Sequence, residues 1–287
     1  MNPEEFQDIL YRKDETTGIV RVTLNQPKRK NSLTFHSFME LCLAADEVQK
    51  DPGATAMIIT GAKDPDGNNP TREAFSSGGY FNPREEALGG GDAELNADDP
   101  YRIDRTDIAQ KRLTLTMWKL DKPVIAAING FAIGAGFTMP LACADLIFAS
   151  EHAWAQLPFV PLGIVPEFAS SYILPRLAGF QKAKELIYFG RKITAGELEA
   201  MGLINAVLPH EELLPYAQKQ ALKLVPPKGA GLAVRMAKRA LHAPLIDAMA
   251  NALDQENLAL NKAMTTTDFF EALSARVERR SPVYTGK

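Results

Sequence analysis

Cysteine is almost missing from this chain of 287 residues: there are 2, Cys42 and Cys143, far apart and without a Cys-x-x-Cys spacing or a Cys/His cluster. That excludes a disulfide framework and a tetrahedral zinc site, so no metal is expected, and it fits a reducing, cytoplasmic compartment. Histidine is equally sparse. The 4 histidines fall in unrelated contexts, with no H-x-x-x-H and no G-x-S-x-G, which removes a histidine-based metal site and a serine-hydrolase elbow. Positive charge is not in excess either. With 32 basic and 35 acidic residues the net charge is −3, which leaves no field for gathering the phosphates of a nucleic acid. A long apolar run is also lacking: the stretch Val124 to Ala149 is broken by Asn129, Thr138, Pro140 and Asp145, so no membrane span is expected. The segment from Met1 to Asp8 carries acids where a secretory signal needs positive charge, and Tyr284 to Lys287 is not a peroxisomal tripeptide.

What is present is an ordinary globular composition, 46% hydrophobic and 23% charged, in a chain about twice the usual domain size. Val20, Val22 and Leu24 alternate with polar residues and predict a half-buried strand over Ile19 to Asn25. Helical spacing over Leu33 to Val48 follows, then short strands at Ala56 to Thr60 and Ala74 to Ser76. Phe81 to Asp107 has no period and reads as a surface loop or lid. A helix over Ile108 to Leu120 leads to strands at Val124 to Ile128, Leu146 to Ala149 and Ala153 to Gln156. Thr194 and Glu197 form a capping box for a short helix that Gly202 closes. Beyond Pro209 the pattern is helical throughout. The chain therefore divides into an α/β core over 1–205 and a helical region over 206–287.

Three constellations carry possible chemistry. Ala74-Phe75-Ser76-Ser77-Gly78-Gly79 runs a strand into two glycines, which either turn the chain or free an amide for a ligand. Asn129-Gly130 with Gly134-Ala135-Gly136 lies between a strand and an apolar helix. Such a helix start suits an anion or a developing oxyanion, although close packing selects glycine too. Met139 stands where a dinucleotide fingerprint needs its third glycine. Glu167, amid Val165-Pro166 and Phe168-Ala169, is a lone acid in an apolar setting, the way a carboxylate is tuned into a base. The basic run Lys28-Arg29-Lys30 reads by itself as a solvated loop.

In their order, these residues closely resemble the enoyl-CoA hydratase/isomerase (crotonase) family. The match runs from Asn25-Gln26-Pro27 and Asn31-Ser32-Leu33 through the two glycine motifs, Lys122 to Asn129, Ala142 to Asp145 and Thr194 to Gly202, almost to the chain end. The resemblance implies a spiral of β-β-α units with a C-terminal helical region that builds a homotrimer or hexamer. It implies an acyl-CoA substrate, no separate cofactor, and an oxyanion hole of the Gly79 and Ala135 amides. Ser77 and Lys28, Arg29 and Lys30 would then meet coenzyme A, and Tyr80, Phe81, Thr138 and Phe159 would wall the acyl pocket.

Hydratases of the family resemble one another in a pair of glutamates, but Thr138 and Phe159 occupy those positions here. Glu167 instead falls where the isomerases carry a single catalytic glutamate. An enoyl-CoA isomerase moving a β,γ double bond to α,β, with Glu167 as base and acid, is the reading favoured by these residues. A hydratase, lyase or hydrolase of the same family is the alternative. A different class, an inactive trimeric scaffold or RNA-binding relative, is opposed by the acidic balance and the retained Glu167.

Overall fold

Two sheets and the helices around them make the architecture. The computed structural model describes residues 3–65, 69–79 and 109–287. Its larger sheet combines β1 Ile9–Lys13, β2 Ile19–Leu24, β3 Ala56–Gly61, β5 Val124–Ile128, β7 Leu146–Ser150 and β10 Ala206–Leu208, in that spatial order. The smaller runs β4 Ala74–Ser76, β6 Phe131–Ile133, β8 Trp154–Gln156, β9 Lys192–Thr194. β1 is antiparallel to β2 and β9 to β8, and every other pairing is parallel.

All residues of β3 and β5 are buried, as expected of parallel strands covered on both faces. Val20, Val22, Met57, Ile59, Val124 and Ala126 face the core that includes α1 Phe35–Lys50 and α2 Ala109–Lys119. Their alternating neighbours Ile19, Ile58, Ile125 and Ala127 face α7 Leu213–Leu224. The remaining helices are α3 Ala135–Cys143, α4 Ser170–Ala178, α5 Phe180–Phe189, α6 Ala195–Ala200, α8 Gly231–His242, α9 Ile246–Ala263 and α10 Thr267–Glu278. The expected capping box opens α6: Thr194 accepts from the Glu197 amide while the Glu197 carboxylate reaches back.

The α/β class with a C-terminal helical region agrees with the expectation. Among the described residues, five strands have three residues each; β4 and β8 were expected, while β6, β9 and β10 show no period of their own. The signal of α4 and α5 is broken by Pro175 and Gly179. β10 lies past residue 205 and extends the sheet, so the purely helical part begins near His210. Leu253 is buried because α9 folds back onto α2 and α4, and Phe269 of α10 is buried against the turn at Gly163, whereas Leu258 and Phe270 remain exposed. Among the described residues no helix is long and apolar enough to cross a membrane.

Candidate active site

The end of β4 and the start of α3 meet in a close backbone contact that side chains would forbid. Gly78 has φ +87°, and a Cβ there would stand 2.3 Å from the Ile133 carbonyl. A Cβ on Gly136 would likewise come within 2.3 Å of the Ser76 carbonyl. The two glycine motifs are thus halves of one joint. The amide of Leu33 donates to the Gly78 carbonyl at 2.8 Å, and Leu33 forms a parallel bridge with Gly79. Such a bridge uses the peptide groups flanking the bridged residue, so the Gly79 N–H points to the opposite side. Ala135 is the first residue of α3, where an N–H has no partner within the helix. Its amide lies beside the Glu167 carboxyl and favours that group's charged form.

Glu167 precedes α4. Burial pushes its carboxyl up to about 7, helped by the negative charge of Glu256; the hydrogen bond from the Gln110 side chain and the neighbouring Ala135 amide act in the opposite direction. The Gln110 Nε2 donates to Glu167 Oε2 at 3.0 Å. Phe159 is buried beside Gly134, at the same end of α3. Thr138 is fully buried one turn along α3, and its hydroxyl donates back to the Gly134 carbonyl at 3.2 Å. Neither position offers a second acid.

The basic loop is tied to the same joint. Ser77 donates from its amide to the Lys30 carbonyl at 2.9 Å and from its hydroxyl to the Arg29 carbonyl at 3.3 Å. Buried Asn31 fixes the loop onto β4 by donating to the Ala74 carbonyl at 2.8 Å. Lys28 is exposed, whereas the ammonium of Lys30 lies against the Asp64 carboxylate. Tyr80 and Phe81, expected in the acyl pocket, lie outside the described residues, as does the segment Phe81 to Asp107.

Two residues at this site were not anticipated from the sequence, Gln110 and Glu256. Each is a polar residue in phase with an apolar helix face: Gln110 with Leu113 and Met117, Glu256 with Met249 and Leu253. That phase, a charged or amide side chain where the period demands an apolar one, is the signal that would have found them. Among the described residues no cluster of His, Cys, Asp and Glu is suited to a metal.

The fold thus sets a half-buried glutamate beside a helix-start amide and a joint of glycines. Comparison with known proteins gives the family. Residues 14–287 match the enoyl-CoA hydratase/isomerase family. The chain is 31% identical to a short-chain-enoyl-CoA hydratase of Clostridium acetobutylicum, covering 96% of this chain and 97% of that protein. It is 30% identical to a 1,2-epoxyphenylacetyl-CoA isomerase of Escherichia coli, covering 94% and 96% respectively. The crystal structure of an enoyl-CoA hydratase from Mycobacterium avium superposes with a TM-score of 0.79 at 26% identity, covering 97% of this chain and 99% of the other. The chain belongs to the enoyl-CoA hydratase/isomerase family, with a crotonase fold.

Proposed function

We propose that the chain is an enoyl-CoA isomerase that shifts a β,γ double bond into conjugation with the thioester. The observation that carries this reading is the half-buried carboxyl group of Glu167, set beside the Ala135 amide and raised to about 7 by burial, with Thr138 and Phe159, neither of them an acid, where a hydratase pair would stand. A carboxyl poised near neutrality takes and returns a proton with little cost either way.

The Glu167 carboxylate removes an α-proton, and the electron pair moves onto the thioester oxygen to give a dienolate. The amides of Gly79 and Ala135 hold that oxyanion. Glu167, now a carboxylic acid, returns the same proton to the γ-carbon as the thioester carbonyl re-forms, so the substrate neither gains nor loses atoms. On this reading a bound thioester takes over the Ala135 amide from Glu167. The carboxylate thereby loses a neighbouring N–H that favours its charged form and becomes a stronger base when substrate arrives. The reaction uses the chain's own groups, with coenzyme A entering as part of the substrate.

For the coenzyme A end, the contact of Ser77 with Arg29 and Lys30 supports a site on this loop, with the exposed Lys28 nearest to solvent. The likeness to a 1,2-epoxyphenylacetyl-CoA isomerase supports including ring-bearing acyl groups among the substrates tested. A homotrimer or hexamer is proposed as well, supported by the exposed apolar side chains Leu232, Met236 and Leu241 of α8 and Phe189 of α5.

A panel of β,γ- and α,β-enoyl-CoA thioesters tests the activity. Conjugated-thioester absorbance should grow from the β,γ substrates without a mass gain of one water. Products heavier by one water, formed faster than conjugation, would establish a hydratase instead.

A further inference from the structure

The turn that carries Glu167 is strained, and its own bonds, from the Ser170 amide at 3.0 Å and hydroxyl at 2.6 Å to the Glu167 carbonyl, leave the Ala169 and Ser171 amides to be met from elsewhere. Phe168 and Ala169 both adopt the left-handed region, with φ of 55° and 51°, a conformation unfavourable for non-glycine residues. Ala169 is the N-cap of α4, and its methyl side chain offers no acceptor for the unpaired amides of the helix start. The Ala169 and Ser171 amides are met from another part of the chain. The buried Glu256 of α9 accepts from the Ala169 amide at 2.7 Å through Oε2 and from the Ser171 amide at 2.8 Å through Oε1. Resting on the reading of Glu167 as base and acid, we propose that Glu256 is a positioning residue: its carboxylate clamps the left-handed turn through the Ala169 and Ser171 amides and so fixes where Glu167 stands.

The clamp has two separable parts. Geometry comes from the bidentate acceptance, since both carboxylate oxygens are used and a glutamine would leave one amide facing an NH2 group. Charge comes from like-sign repulsion, by which Glu256 pushes the Glu167 carboxyl upward. Glu256 itself is pushed above the usual carboxylate range by its burial, against the downward pull of its bonds to Ser171 and Ala169. Charged groups on the helices packed against the pair have partners of their own. On α2 the Lys111 ammonium lies on Asp254 of α9 at 2.7 Å. On α4 Arg176 donates to the Tyr172 carbonyl at 2.7 Å. α3 carries no charged side chain. The Lys111 contact also ties α9 to the helix that carries Gln110, so α9 supports Glu167 from both sides.

The variants Glu256→Gln and Glu256→Gln/Ala169→Gly separate the two parts, each assayed for kcat, KM and the pH profile of kcat/KM. In Glu256→Gln, kcat should fall about 10- to 100-fold with KM little changed, because a displaced catalytic group costs rate on this scale. The acidic limb of the profile should move to lower pH. Adding Ala169→Gly relieves the left-handed strain, so kcat should recover at least in part while the limb stays displaced, the charge being still absent. If Glu256→Gln does not fold, the double variant carries the limb measurement alone. An unmoved limb together with an unchanged kcat, or a loss of Tm with neither kcat nor the limb affected, would overturn the proposal. Glu167→Gln is the separate control. Were it to keep full activity, the reading of Glu167 would fail, whereas full loss in Glu167→Gln with no effect at Glu256 would reject only the positioning role.

Discussion

The two sides of the site are built in opposite ways. On the proposed function the oxyanion side is backbone, the amides of Gly79 and Ala135, set at a joint that close contacts between β4 and α3 form around Gly78 and Gly136. The acid side is a single side chain on a strained turn, braced by Gln110 of α2 and by Glu256 of α9, residues 57 and about 90 positions away in the chain. Tertiary packing assembles both sides, but the first leaves a mark in the local sequence, as glycines where backbones touch, and the second leaves none around its supports.

Breaking the backbone side should give a large loss that little else accompanies. Gly79→Pro removes one oxyanion donor, and kcat is expected to drop about 10²- to 10³-fold with acyl-CoA binding largely kept. Steady-state kinetics on the folded variant, checked by circular dichroism, measures this. Full turnover would move the oxyanion hole away from Gly79.

On the acid side, Gln110→Leu should change where the enzyme works more than how fast it works. The Gln110 hydrogen bond favours the charged carboxylate, so losing it raises the Glu167 pKa further. The acidic limb of kcat/KM should shift upward by about one pH unit, with the rate at high pH within about tenfold of wild type. A downward shift would show that Gln110 stabilises the protonated form instead.

This asymmetry explains what was legible in the sequence. The strands whose apolar residues alternate or run unbroken, such as Val20 to Leu24 and Val124 to Ile128, could be placed, as could the C-terminal helices and the capping box at Thr194. Both glycine motifs were visible because close backbone approach demands a particular residue type at a particular place. Glu167 stood out as an acid among apolar neighbours. Its supports did not, because Gln110 and Glu256 carry no local motif, and only the packing of α2, α4 and α9 brings them together. The strands β6, β9 and β10 likewise show no period of their own, being fixed by ladder partners distant in sequence.

The smallest expected effect is on stability. The Glu167 carboxyl has a folded pKa of about 7 against an ordinary 4.5, so between those values the folded chain holds a proton that the unfolded chain has released. Folding stability from this group therefore falls as pH rises from about 4.5 to about 7, and the deficit persists above. Glu167→Gln removes the deficit. Its Tm should equal that of wild type near pH 4 and exceed it by about 2–5 °C above pH 7, by calorimetry at both pH values. An equal Tm difference at both would mean that the carboxyl is not held up by burial.

Exchange of the α-proton in heavy water tests most directly whether Glu167 is the one acid–base group of this site. Wild-type enzyme incubated with an acyl-CoA should incorporate deuterium at the α-carbon, read by mass spectrometry, with a rate that rises with pH through about 7. Glu167→Gln should bind the same thioester with similar affinity and lose about 10²- to 10⁴-fold in exchange. Exchange at the wild-type rate in the Gln variant, with affinity intact, would contradict the account and place the base on another residue.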